Sequence, residues 1–330
     1  MIFHFMIAKT GYDWRFAPII TDPAILSDRL NWGNLYHRML QAGPLEELQY
    51  QEEMAALSRM AVSEGLSTER HTWPEGIEPF SFPISIESFR AENGSTQVDI
   101  SYAVPPPDGM SKKLEIRSDS GIVVESGLAV FNRQFETIHR ELVLDTIMTE
   151  SVLEKIETYS YQLHPDTYNV SVHIDPRSYN VLAGYKFKYG ARDYSGEVLQ
   201  ISDIQLATII EAAGDSPGFE KNGLRIMLNP SHKFDRKSPV YIYFEVYNLQ
   251  INEQGNSHYS LDYNLVLESG KRRGIGNLFG LLGGGKKSSI SIRNERQESG
   301  DSSVEYLAID TALMESGDYK LEISATDELS

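Results

Sequence analysis

Gly280 to Lys286 (GLLGGGK) has the G-x-x-x-x-G-K spacing of a loop that cradles phosphates with its backbone N–H groups. The next residue is Lys287, where such a loop needs a Ser or Thr hydroxyl for Mg²⁺, and the flanking pattern is strand–loop–strand rather than strand feeding a helix. A nucleotide site is therefore not expected. Residues 274–287 read instead as a hairpin tip. Leu278, Phe279, Leu281 and Leu282 are apolar there and lie beside Lys271, Arg272, Arg273, Lys286 and Lys287. An apolar tip ringed by cations suits insertion into a partner's groove or peripheral contact with a headgroup layer.

Tyr241, Tyr243 and Tyr247 form a second candidate set. They fall on the strand face opposite Val240, Ile242, Phe244 and Val246, because successive side chains point to opposite faces. Flat rings with a polar rim suit a glycan or peptide platform if the face is open, and packing on a neighbouring layer if it is covered. Tyr168 and Tyr319 each open an alternating run and read as structural, in the manner of a tyrosine corner.

The eight histidines never fall at H-x-H or H-x-x-x-H spacing, and no Ser sits in G-x-S-x-G. Without cysteine there is no disulfide, thiolate ligand or thiol nucleophile. No catalytic set, cofactor site or metal site is expected from these residues. Calcium on the acidic loops is the one cation they leave open, without an EF-hand pattern to support it. The net charge of −17 opposes non-specific binding to nucleic acid or to an anionic membrane surface. No apolar run reaches the length needed to cross a bilayer, and Met1 to Ala8 is too short for a signal-peptide core with flanks.

These residues must be positioned by strands. Val98, Ile100, Tyr102 and Val104 alternate with Asp99, Ser101 and Ala103, and Tyr259, Leu261, Tyr263 and Leu265 do the same further on. Gln254-Gly255-Asn256 is a turn signal expected to pair that second run with 240–247. Two similar alternating runs, from Tyr168 and from Tyr319, lie about 150 residues apart. The expected fold is mainly β: two tandem antiparallel Ig-like β-sandwich modules, at 79–178 and 179–330. A helical hairpin with a Pro-rich connector, residues 1–78, precedes them; Asp22-Pro23 starts a helix carrying Trp32, Leu35, Tyr36 and Met39 on one face.

Asp193-Tyr194-Ser195-Gly196, Ser202-Asp203-Ile204-Gln205-Leu206-Ala207, Asn229-Pro230, the strand from Val240 to Leu249 and Gly317-Asp318-Tyr319 together resemble the bacterial GWxTD-domain proteins. Phe89-Arg90, Gly94 and the run to Tyr102 are similar as well, so the resemblance spans about residue 80 to the end. The Gly-Trp-x-Thr-Asp string itself is absent. The resemblance covers the β-rich C-terminal portion of those proteins, implies a bacterial, extracytoplasmic protein, and carries over no catalytic residue; a fragment lacking an upstream domain would fit it. Together with the residue reading it leads to a non-enzymatic module that binds a protein or glycan through loops. The alternatives are an accessory domain of a larger enzyme, or an aromatic-face carbohydrate-binding module.

Overall fold

The computed structural model describes residues 77–111, 121–148, 153–177, 179–214, 218–235, 238–270, 289–312, 314 and 316–329. The helical segment expected over 1–78 falls almost entirely outside them. The described chain is mainly β, with 17 strands, one short α-helix, α1 (Pro107–Met110), and one 3-10 turn (Glu92–Gly94). No helix among the described residues is long and apolar enough to cross a membrane.

Two compact units share these strands, and their sequences interleave. Among the described residues, unit 1 takes those within 77–83, 103–157 and 166–191, and unit 2 those within 84–102, 158–165 and 192–329. The division differs from a single cut near residue 178. The strands around Phe89, Val98 and Tyr161 group with the C-terminal part, while the alternating run from Tyr168 groups with unit 1.

Unit 1 holds one five-stranded sheet in the order β1 (Glu78–Pro79), β8 (Val181–Gly190), β7 (Thr167–Pro176), β4 (Ile122–Phe131), β5 (Thr137–Ile147). Leu128 lies opposite Val172 and Val130 opposite Val170, which puts Val124, Leu128, Val130, Val170, Val172 and Ile174 on one buried face. Tyr168, expected to be structural, is buried as the second residue of β7. Gly121, just before β4, has φ +98°, and a Cβ there would sit 2.7 Å from the Ile147 carbonyl oxygen. Only glycine fits that approach.

Unit 2 holds three sheets. The largest runs β11 (Phe219–Lys221), β12 (Leu224–Leu228), β10 (Gln205–Ala212), β13 (Val240–Tyr247), β16 (Ser302–Ile309), and β9 (Gln200–Ile201) also pairs with β13. The others run β15 (Ser289–Ser299), β14 (Asn256–Gly270), β17 (Gly317–Asp327), and β2 (Ile84–Arg90), β3 (Thr96–Val104), β6 (Lys155–Leu163).

The expected pairing of 240–247 with 259–267 across the Gln254–Asn256 turn is corrected. β13 bonds to β10, β9 and β16, whereas β14 bonds to β15 and β17. The turn exists, with Gly255 N–H donating to Asn252 O at 2.9 Å. Asn248, at φ +62°, redirects the chain first, and its successors carry it from one sheet to the next. β13 and β14 therefore meet through side chains. Ile242, Phe244 and Val246 pack on Tyr259, Leu261 and Tyr263, with the Phe244 and Tyr263 rings edge-on at 6.2 Å. Leu321, Ile323 and Ala325 of β17 pack on the same core, as their alternation predicts.

Phe244 has no solvent exposure at the centre of this core. Phe244→Ala is expected to destabilise the chain by about 3–5 kcal/mol, because truncation loses burial and leaves a cavity. Urea unfolding followed by tyrosine fluorescence checks this; a change within 1 kcal/mol would mean that the core does not depend on the two sheets meeting there.

Candidate functional site

The tyrosine face of β13 is covered within unit 2. Tyr243 and Tyr247 are 0% and 2% exposed, while Tyr241 is half-buried. Tyr243 belongs to a second core with Phe89, Ala207, Ile210, Ile226 and Leu228. An open aromatic row, which a carbohydrate platform needs, is not formed by these three rings.

Glu245 on that strand face and Asn222 in the turn between β11 and β12 give the tyrosines polar work. Glu245 accepts a hydrogen bond from Tyr243 Oη at one carboxylate oxygen and from Tyr247 Oη, at 2.8 Å, at the other. Asn222 Nδ2 donates to Tyr243 Oη at 2.7 Å and to Glu245 Oε1 at 3.0 Å. Burial, reinforced by the adjacent Glu245 charge, pushes both phenols well above their ordinary pKa, so they act as donors.

Beside this trio, β3 contributes Asp99, fully buried. Lys221 Nζ donates to Asp99 Oδ2 at 2.8 Å and lies 3.9 Å from Glu245 Oε1. Gln205 Nε2 donates to Asp99 Oδ2 at 2.9 Å, and Gln97 Nε2 and Ser160 Oγ donate to Oδ1 at 3.0 and 2.6 Å. The carboxylate thus has four donors. Lys221 Nζ also sits 2.9 Å from the centre of the Phe89 ring, in cation–π contact. Burial lowers the Lys221 pKa, and the Asp99 and Glu245 charges act against that.

Glu87 lies directly opposite Asp99 in the β2–β3 ladder and is 5% exposed. Its Oε2 has no hydrogen-bond partner among the described residues. Burial first, with the Asp99 and Asp203 charges adding to it, raises the Glu87 pKa to about 8. The outer edge of β2 is closed by side chains. Ser88 N–H donates to Asp203 Oδ2 at 2.9 Å, Arg90 N–H donates to Tyr247 Oη at 3.0 Å, and Tyr194 Oη donates to Ser88 O at 2.9 Å. Asp193 and Ser195, which flank Tyr194, form a local turn through Ser195 N–H to Asp193 Oδ1 at 2.8 Å.

A cavity of about 380 Å³ opens at one end of the β13–β14 core. Its floor is Leu206, Val240, Ile242, Leu265, Ile309 and Leu321; its rim includes His232, Asp235, Thr311, Asp318 and Tyr319. The turn from Asn229 sets part of that rim: Ser231 N–H donates to Asn229 Oδ1 at 3.2 Å, and His232 takes φ +52°. Thr311 Oγ1 donates to Ser238 O at 2.8 Å and ties the two rim loops together. Tyr319, expected to be structural, is half-buried in the wall of this cavity.

Leu278, Phe279, Leu281 and Leu282 lie outside the described residues. Asp99, Lys221, Gln205 and Glu87 were not among the sequence candidates; Asp99 and Lys221 are 122 residues apart and carry no local motif. No group of three or more His, Asp or Glu side chains among the described residues is arranged to hold a metal ion. Compared with protein-family models and with curated proteins, the chain matches none.

The buried pair gives two predictions. Lys221→Met leaves Asp99 and Glu245 without their cation and is expected to cost about 3–5 kcal/mol of stability, whereas Asp99→Asn/Lys221→Met together should recover most of it. Denaturant titrations of the two variants decide this; equal losses would refute a coupled pair. For Glu87, the folded state holds a proton that the unfolded state has released between pH 4.5 and about 8. Its contribution to stability is therefore fully present below the unfolded pKa and falls as pH rises to about 8. Glu87→Gln should gain on the parent over that range, by on the order of a few kcal/mol, and run parallel to it above. Melting curves from pH 5 to 9 that stay parallel throughout would rule out a proton on Glu87.

Proposed function

We propose that the chain is a non-enzymatic interaction module that binds a protein or glycan partner through the loops at the ends of its sheets. The observation that carries this reading is where the charged side chains of unit 2 lie. Asp99, Lys221 and Glu245 are engaged with one another and with neighbouring polar side chains inside the sheet layers, whereas His232, Asp235, Thr311 and Asp318 lie around an open cavity. A rigid β scaffold with variable loops is a common way to present a binding surface.

On this reading the β units are Ig-like sandwiches, and the resemblance to the C-terminal portion of GWxTD-domain proteins supports a bacterial envelope or secreted protein. The 274–287 segment, with Leu278, Phe279, Leu281 and Leu282, supplies a further partner contact or a peripheral membrane contact.

An affinity capture from bacterial envelope extract tests the proposal, comparing the intact chain with a variant whose residues 274–287 are replaced by an Asn-Gly turn. The expected result is a partner retained by the intact chain and lost by the variant. A set of bound proteins that is the same for both, and the same as for an unrelated acidic β protein, overturns it.

A further inference from the structure

The geometry points to a covalent cross-link inside unit 2: an amide bond between Lys221 Nζ and the Asp99 carboxyl carbon, closed by loss of water with Glu87 as the proton relay. Lys221 Nζ already lies 2.8 Å from Asp99 Oδ2, so the carbon to be attacked is one bond further on. Glu245, the other carboxylate beside this amine, stands 3.9 Å away, and both of its oxygens accept from phenols. The Asn222-Gly223 turn, with φ +49° and +72°, joins β11 tightly to β12 and fixes Lys221 as the last residue before it. Asp99 is held from its own side, in the centre strand of the β2–β3–β6 sheet, by Gln97, Ser160 and Gln205. Two reactive groups fixed in contact act at effective concentrations of up to about 10⁵–10⁸ M, which brings a condensation that is slow between separate molecules within reach of one chain.

The surroundings favour the neutral forms that the reaction needs. Asp99 is 0% and Lys221 8% exposed, and the Phe89 ring covers the amine at 2.9 Å. A buried ion pair carries a desolvation cost that a neutral amide does not. Burial accordingly lowers the Lys221 pKa, against the pull of Asp99 and Glu245. Glu87 faces Asp99 across the β2–β3 ladder, and its Oε2 has no hydrogen-bond partner among the described residues. Burial raises its pKa to about 8, so it holds a proton at neutral pH. Strand packing gives no reason for an acid at that position, and a proton relay does.

The step balances without a co-reactant. The ammonium passes one proton to Asp99, leaving a neutral amine and a neutral carboxyl group. The Nζ lone pair then forms the N–C bond, while Gln97, Ser160 and Gln205 stabilise the developing oxyanion. Glu87 gives its proton to the departing hydroxyl and takes one from Nζ at its other oxygen. One C–O bond breaks, one water leaves, and Glu87 ends protonated as it began. The bond fastens the three-residue β11, at the edge of its sheet, to β3 of another sheet, 122 residues away in sequence.

Intact-mass spectrometry of the full chain tests this. The expected mass is one water, about 18 Da, below that of the sequence. A tryptic digest should contain residues 91–112 branched to 193–225, since trypsin does not cut after an acylated lysine. Lys221→Arg, which keeps the charge but not the nucleophile, should show the full sequence mass. Glu87→Gln, an isosteric change, should condense about 10²–10⁴-fold more slowly and be purified largely unlinked. A parent at the full sequence mass overturns the inference. So does a water loss that persists in Lys221→Arg, or one without the branched peptide, as a succinimide at Asp108-Gly109 would give. Glu87→Gln linked as completely as the parent would overturn the relay. If Lys221→Arg fails to fold, the mass and digest of the parent decide alone. A linked parent should also have a higher urea midpoint than either variant; the recovery expected of Asp99→Asn/Lys221→Met is relative to the unlinked pair. These readouts involve no partner, so the cross-link and the proposed partner binding stand or fall separately.

Discussion

Strand β13 is buried on both faces, and most of unit 2 follows from that. Ile242, Phe244 and Val246 are sealed against β14 and β17, while on the other face Tyr243 packs on Phe89 and Tyr247 meets Arg90 of β2, and Glu245 is buried between the two tyrosines. A strand covered on one side only would leave its polar residues in water, where they need no partner. Covered on both, each oxygen must be matched, because an unmatched buried polar group costs about 1–3 kcal/mol. Glu245 answers this with two phenols and Asn222, and shares the Lys221 ammonium with Asp99. The cluster is thus a consequence of layering three sheets rather than an addition to them.

The edge of β2 shows how the same constraint is met where no strand is available. A short strand with a row of free N–H and C=O groups invites pairing with another chain. Here Asp203, Tyr247 and Tyr194 supply side-chain oxygens and a hydroxyl to Ser88 and Arg90, and Asp203 N–H donates to Ser88 O at 3.1 Å. Arg90 then stacks on Tyr247 at 4.7 Å and reaches Asn248 and Asp301. Asp203 and Tyr194 are both used to hold β2 in place.

How much of this was readable from the chain depended on whether the information was local. Two-residue alternation located β13, β14 and β17 and divided β13 into its aliphatic and tyrosine faces, since that division is a property of any strand. Whether the tyrosine face was open or covered was not a local property. Asp99 and Ser101 sit in an alternating run that reads as half solvated, yet both are fully buried, because a second layer lies over them. Sheet membership was illegible for the same reason. Tyr161 and Tyr168 are separated by one turn and end in different units, as strand partners are chosen by long-range packing rather than by proximity in sequence. Turn chemistry misled at Gln254–Asn256: the turn forms, but the left-handed Asn248 had already turned the chain toward the other sheet.

A raised carboxyl pKa beside a buried lysine is the kind of signal that often marks a catalytic centre, and Glu87 with Lys221 carries it. Geometry separates the two cases here. An atom of an outside substrate has to come within about 3–3.5 Å of the group that acts on it. At Lys221 that space is taken by the Phe89 ring on one side and by Asp99 on another, and Asp99 already accepts from four donors. The perturbed groups lie where burial is greatest, whereas the concavity with polar groups around an apolar floor lies at the sheet ends, where His232, Asp235 and Asp318 are exposed. Electrostatic perturbation and access to ligand are therefore found in different parts of unit 2: the first records the demands of packing charged strands between layers, and the second marks where another molecule can enter.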